Sequence, residues 1–298
     1  MPDPGLFDLV LKAFTSVFHL SWTGLTPQAL WLVSQMAVWC LIPALVLAMS
    51  GLHSALPAMF QPLVKIALIV WAIANLESLT NRFADWVIVI GLSIGSKMMP
   101  LVGAPPMTLA DFMSPGTVLF KGFDMMLPVI TYVDNLGWYN AGAILMYDFF
   151  IVIPLWCCFV VVASHIIIAI VEFKMVALWS LFPLCFALFS GTVFVAAGAL
   201  SGIIASAMRL GALAFVTGII LPLTFYLTIP LDGKDPRYWN IMAAGATGVL
   251  LTFMSIAAPR YASSFFGGAP AFTGATLIGA AGFAASGAVR GVQRWLRS

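Results

Sequence analysis

Four ionisable residues stand inside long apolar stretches, where charged groups are rare. They are Lys65, His165, Glu172 and Arg209. His165 and Glu172 are seven residues apart, so on one helix they share a face, as a proton relay would need. Interhelical contacts are the simpler use of such groups, and Glu172–Arg209 is the first pair that we predict. Lys65 would snorkel, pair with Glu77 or Glu172, or line a conduit.

Catalytic motifs do not occur in the sequence. We find no H-E-x-x-H zinc motif, no G-x-S-x-G nucleophile motif and no phosphate-binding P-loop. The histidines His19, His53 and His165 are scattered, and the four cysteines lie inside apolar runs without metal-ligand spacing. We therefore expect neither an enzyme nor a bound cofactor.

The composition is that of a membrane protein. Apolar residues make up 62% of the 298 residues, charged residues only 8%, and the mean hydropathy is +1.06. A soluble domain carries about 25% charged residues. The net charge of +2 is too small to indicate a nucleic-acid-binding surface. We predict an all-α, polytopic helical integral membrane protein, with about 5–7 transmembrane helices plus amphipathic interfacial helices.

Alternating apolar and polar stretches divide the chain into five segments. Residues 1–27 form an amphipathic N-terminal segment, and residues 28–101 form an N-terminal transmembrane region. Residues 102–146 form an extramembrane amphipathic helical insert. Residues 147–260 form a central transmembrane core, followed by a Gly/Ala-rich C-terminal tail, 261–298. The central core must position three of the four ionisable residues.

Four helices are predicted in the first two segments. Gly5–Leu20 is amphipathic, and it lies in the membrane interface or packs against the periphery of the protein. Ala29–Ser50 and Pro57–Leu76 are long and apolar enough to be spans. Trp86–Leu101 is shorter and is weakened by Gly91, Gly95 and Lys97, which makes it a third span or a helix on the surface.

The insert carries two signals for helix starts. Thr108 and Asp111 have the spacing of a capping box, although Asp replaces the usual Glu. Ser114-Pro115 places a cap residue before a proline, which indicates that a second helix begins there. The apolar face predicted for this second helix consists of Leu119, Phe123, Met126, Leu127 and Ile130.

The central core reads as four apolar helices in succession. Phe149–Val171 is long enough to span a bilayer, and Glu172 closes it. Met175–Ser190 is shorter, and Thr192–Leu210 and Gly211–Pro230 follow.

Small residues form a stripe along the third of these helices, with Gly198 and Gly202 as a GxxxG pair. Such a stripe allows close helix packing, either within one subunit or between subunits. Its members are Gly198, Ser201, Gly202, Ala205 and Ser206.

The central core resembles the TrbL family in four features. Glu172 closes one helix, Leu181-Phe182-Pro183 follows, Thr192 opens the small-residue helix, and Gly211 opens the next. The Gly267–Pro270 turn and the small-residue stretch after it are also similar to the tail of that family.

The resemblance covers about Met146–Ala285, which is roughly half of the chain. It implies a structural or channel component of the inner membrane in a conjugative type IV secretion system, helping to form the path of a DNA–protein substrate. The implied partners are other inner-membrane and periplasmic subunits, the secretion ATPase, phospholipid and further copies in a ring. A small-solute transporter or channel is the alternative function.

Three arginines near the carboxyl terminus predict the orientation. Arg290, Arg294 and Arg297 have no acidic residue beside them, and basic residues that flank membrane spans stay in the cytoplasm. The C-terminus is therefore expected to be cytoplasmic. The family resemblance implies a periplasmic amino terminus and a periplasmic insert.

Overall fold

The computed structural model describes residues 5–49, 55–97, 107–120, 122–123, 153–228 and 238–265. Within these ranges the chain contains no β-strand, so the all-α prediction is confirmed for them. The helices are α1 (Leu6–Met49), α2 (Ala55–Ala74), α3 (Leu76–Ser96), α4 (Leu109–Phe112), α5 (Ile153–Trp179), α6 (Leu181–Cys185), α7 (Val193–Thr228) and α8 (Tyr238–Phe265). A 3-10 helix, Phe186–Leu188, follows α6. Residues 115–120 and 122–123 are also helical.

Helix α1 is one continuous element of 44 residues, where the sequence predicted two helices. The break expected between Gly5–Leu20 and Ala29–Ser50 is not there, and Pro27 lies inside the helix. Trp22, before this proline, and Ala29, after it, are both buried in the core. Packing on both sides therefore offsets the single hydrogen bond that a proline removes from a helix.

The first turns of α1 contact the insert through Asp8. Asp8 Oδ1 accepts a hydrogen bond from the Gly116 N–H at 3.0 Å, and Asp8 Oδ2 accepts one from Ser114 Oγ at 2.9 Å. Asp8 thus acts as a cap for the helix that begins at Pro115. Asp8 of the polar face of this segment thus binds the protein, and on the apolar face Leu11 is buried while Leu6, Val10, Phe14 and Val17 stay exposed.

The predicted capping box at the start of α4 is confirmed. Thr108 Oγ1 accepts from the Asp111 N–H at 3.2 Å, and Asp111 Oδ2 accepts from the Thr108 N–H at 3.1 Å. A helix also begins at Pro115, as predicted.

The buried side of that second helix agrees with the predicted one at Leu119, which packs against the core, and differs from it at Val118 and Phe123. Val118 is fully buried, whereas Phe123, assigned to the apolar face, is 43% exposed. Gly122 explains the change, because a Cβ there would lie 2.4 Å from the ring of Phe159 on α5. The absence of a side chain lets this ring approach, and it becomes fully buried. Met126, Leu127 and Ile130 lie outside the described residues, as does the rest of the insert beyond 107–120 and 122–123.

Helix α3 begins ten residues before the predicted start at Trp86 and is a full helix of 21 residues. Asn75 separates it from α2, and its side-chain amide donates to the Trp71 carbonyl at 2.9 Å. The segments Pro62–Ala74 and Leu76–Gly95 meet there at 65°. The second and third predicted spans thus form a bent pair.

The central core contains two long helices where the sequence predicted breaks. Glu172 lies inside α5, and Gly211 lies inside α7, so neither residue ends or opens a helix. The charge of Glu172 is matched across the interface by Arg209. Gly211 is in contact with Val87 of α3, and this tight packing holds the glycine within the helix.

Helix α7 is the centre of the bundle, with α3, α5 and α8 packed around it. Leu210, Leu213 and Ala214 on α7 are almost completely buried. Three helical segments are long and apolar enough to span a membrane: Leu6–Pro43, Trp156–Leu188 and Val193–Ile219. The bent pair makes a fourth if it counts as one span. The count of five to seven is not confirmed in the described residues, because predicted spans merge there.

Candidate functional site

An ion pair joins the two central helices. Arg209 Nη1 on α7 donates to Glu172 Oε1 on α5. The Arg209 side chain is 20% exposed and the Glu172 side chain 42%. Both residues lie inside the span-length segments Trp156–Leu188 and Val193–Ile219. Charges inside apolar spans are costly unless they are paired, so each group makes the other tolerable there. The sequence singled out this pair, and the structure contains it.

A groove of about 480 Å³ opens between α5 and α7 beside the ion pair. Its walls include Val176 and Trp179 of α5 and Phe14 of α1, and its floor includes Gly198 and Gly202 of α7. Among its described lining residues Glu172 is the charged one. The groove therefore combines an apolar surface with one anionic acceptor.

The predicted small-residue stripe on α7 divides between this groove and the protein interior. Gly198 and Ser201 are exposed, Gly202 is half-buried, and Ala205 and Ser206 are buried. A Cβ at Gly198 would meet no atom within 4 Å, and one at Gly202 would meet only Val176 Cγ1, at 3.6 Å. The first part of the stripe is thus not covered by another helix among the described residues.

Glycines of α3 and α7 also pack closely against each other, a contact that the sequence analysis did not predict. A Cβ on Gly91 would lie 2.5 Å from the Gly211 carbonyl oxygen, and one on Gly95 would lie 2.4 Å from the Gly218 carbonyl carbon. No side chain fits at this crossing. The sequence predicted only that these glycines weaken a span, and their part in bringing α3 close to α7 was not predicted. Their i, i+4 spacing was the available signal.

Further charged groups gather on α1, α3 and α5. His19 Nδ1 lies 3.1 Å from Glu77 Oε1, with side-chain exposures of 69% and 37%. The half-buried Lys174 has Glu77 and Asp85 as its electrostatic neighbours. No local motif could have indicated these contacts, since His19 and Glu77 are 58 residues apart.

The other two predicted ionisable residues do not join the ion pair. Lys65 is exposed on α2, and the carboxylates considered for it, Glu77 and Glu172, bind His19 and Arg209 instead. His165 is half-buried on α5 and makes no hydrogen bond to Glu172 in the described part of the chain. Both residues lie on α5, seven residues apart, so the shared helix face is confirmed, and a proton relay through them stays a prediction.

The site can hold helices together and bind an apolar partner that brings a hydrogen-bond donor. Across the described ranges no three metal-ligating side chains come together. Comparison with protein-family models and with curated proteins finds no match.

Proposed function

We propose that the chain is a structural or channel component of the inner membrane in a conjugative type IV secretion system. In this role it helps form the path for a DNA–protein substrate. The resemblance of the central core to the TrbL family is the observation that carries the proposal. The span-length apolar helices are compatible with it.

The residues that carry the resemblance within the central core belong to α5, α6, α7 and the turn before α7, whereas the Gly267–Pro270 turn lies outside the described residues. Glu172 makes the ion pair, and the Leu181-Phe182-Pro183 segment forms the start of α6. Thr192 Oγ1 donates to the Phe186 carbonyl at 2.7 Å in the turn before α7, and Gly211 contacts α3. These residues therefore contribute to the local structure and packing of α5, α6 and α7.

The proposed setting follows from the same resemblance. The protein is a multi-pass inner-membrane protein that contacts phospholipid and further copies of itself in a ring. Its partners are the other inner-membrane and periplasmic secretion subunits and the secretion ATPase. It needs no cofactor and catalyses no reaction. Its C-terminus is cytoplasmic, although the arginines on which this rests lie in 266–298, outside the described residues.

A mating experiment tests the function. Deleting the gene from a donor cell that carries the transfer system should abolish transfer of DNA to recipients, and expression of the wild-type chain should restore it. A matched variant, Gly24→Leu, should also restore transfer, since Gly24 is exposed and a Cβ there meets no atom within 4 Å. Transfer at the wild-type frequency in the deletion strain would contradict the proposal.

A reporter fusion tests the orientation. Alkaline phosphatase is active only in the periplasm, so its fusion after Ser298 should be inactive while a cytoplasmic reporter at the same position is active. A strongly active phosphatase fusion would reverse the proposed orientation.

The charged groups on α1, α3 and α5 favour the alternative of a small-solute transporter. Lys174 lies half-buried near Glu77 and Asp85, and charged residues within spans often mark an ion path. A transporter of this kind would lose activity in Lys174→Met while its donor cells still transfer DNA. Loss of DNA transfer in the gene deletion favours the secretion component instead.

A further inference from the structure

Helix α7 carries α3 and the groove on opposite sides. Gly202 forms part of the groove floor, and Gly211 contacts Val87 of α3. These two glycines are nine residues apart, which is two and a half turns at about 3.6 residues per turn, so they point in opposite directions. The groove and α3 therefore lie on opposite flanks of the subunit.

The outer face of α3 is apolar and carries one cation. Leu79, Arg82, Trp86 and Val89 are all exposed. Arg82 is nine residues from Gly91, which touches α7, so Arg82 points away from the bundle. Arg82 has no hydrogen bond or ion pair to any described residue. An exposed guanidinium on an apolar face is unfavourable against lipid unless a partner supplies an acceptor.

The groove offers such an acceptor. Glu172 lines the groove, and its side chain is 42% exposed. Arg209 binds Oε1, and among the described residues nothing donates to Oε2. A carboxylate can accept from two arginines at once, one on each oxygen. The groove is thus complementary in charge and polarity to the outer face of α3.

Arg82 and Glu172 also lie at the same level along α7. Helix α5 is antiparallel to α7, since Val176 faces Gly202 while Glu172 binds Arg209. Four residues before Val176, Glu172 therefore lies beside about residue 206. Helix α3 runs parallel to α7, with Val87 beside Gly211, so Arg82, five residues earlier, also lies beside about residue 206. Copies at equal depth in a membrane can bring the two residues together.

We propose that the groove binds the outer face of α3 of a second copy of this chain, with Arg82 of that copy on Glu172. The proposal rests on the homo-oligomeric ring in the proposed function and names the two surfaces that build it. Because the surfaces differ and lie on opposite flanks, each copy binds one neighbour on either side. A head-to-tail contact of this kind closes into a ring when its rotation permits.

Two variants break one surface each, and a third serves as control. Arg82→Glu places like charges opposite Glu172, and Gly198→Leu fills the groove at a position where a Cβ meets no atom of the described residues within 4 Å. Gly24→Leu makes the same glycine change on α1, outside the groove lining. In lipid nanodiscs, native mass spectrometry should show oligomers for the wild type and the control, and monomers for each variant.

Mixing the two broken variants gives the sharper result. Differently tagged Arg82→Glu and Gly198→Leu chains retain one intact groove and one intact α3 face between them, so coexpression should yield dimers and nothing larger. Oligomers of wild-type size in either variant alone, or no dimers in the mixture, would overturn the proposed contact.

The outcomes separate this inference from the function it rests on. A wild-type chain that is monomeric in nanodiscs rejects the ring and the contact together. An oligomer that survives both variants rejects only the contact. Variants that become monomers while DNA transfer continues at the wild-type frequency leave the contact standing and show that transfer does not need the ring, whereas the secretion function itself is rejected by transfer from the deletion strain.

Discussion

Two glycine pairs with the same i, i+4 spacing end in opposite surroundings. Gly91 and Gly95 meet the backbone of α7 so closely that no side chain fits between the helices. Gly198 and Gly202 open onto a groove that the described residues leave uncovered. The spacing thus predicts the capacity of a helix for close packing, and only the fold determines which partner uses it. The first pair builds the subunit, and the second is free to bind another.

Replacing one glycine of each pair with alanine should give the largest difference in unfolding free energy. Gly95→Ala forces a methyl against the backbone of Gly218, and such overpacking costs about 3 kcal/mol of unfolding free energy. Gly198→Ala meets open space, and because alanine favours a helix over glycine, stability should rise by up to about 1 kcal/mol. Thermal unfolding of the purified proteins in one detergent measures both. Equal effects at the two positions would remove the distinction between the pairs.

The ion pair beside the groove should contribute less to the unfolding free energy than the close packing of Gly91 and Gly95 against α7. Glu172→Gln or Arg209→Gln leaves one charge without its partner, at a cost of about 2 kcal/mol, because the carboxylate is partly open to the groove. The double variant removes both charges and should lose less than the sum of the two single changes. The same thermal measurement forms the cycle. Additive losses would mean that the two side chains do not interact.

The smallest change in unfolding free energy is expected at Asp8, which belongs to neither glycine pair. Asp8→Ala removes the cap of the helix that begins at Pro115 and should cost about 1 kcal/mol. Asp8→Asn retains an oxygen acceptor and should cost less. Hydrogen exchange at the Gly116 amide should accelerate in Asp8→Ala and stay unchanged in the control Lys12→Ala. Unchanged protection in Asp8→Ala would show that this cap is not used.

Local signals in the sequence predicted several features well. The capping box of Thr108 and Asp111 and the helix start at Pro115 depend on neighbouring residues, so their sequence signals were sufficient. The pairing of Glu172 and Arg209 followed from the rule that a charge within an apolar span needs an opposite charge.

The continuity of the long helices could not be read from the sequence. Three residues would each be expected to interrupt a helix, namely Pro27, Glu172 and Gly211. Each is accommodated inside a helix because of contacts with residues that are remote in the sequence. Burial on both sides compensates for the proline, Arg209 compensates for the carboxylate, and α3 packs against the glycine. Tertiary packing overrides local propensity at such positions. The groove depends on the packing of the four helices that line it, α1, α5, α6 and α7, and no local signal describes it.

Disulfide cross-linking tests most directly whether the second glycine pair binds a neighbouring copy. Leu79 lies eight residues before Val87 on α3, which places it beside about residue 203 and opposite Gly202 of a neighbour at equal depth. The test uses a chain whose four native cysteines are replaced by alanine and which carries Leu79→Cys and Gly202→Cys. Oxidation in the membrane should yield a ladder of covalent multimers, whereas either cysteine alone should remain monomeric. Dimers from Gly202→Cys alone, or no ladder from the double variant, would contradict the account.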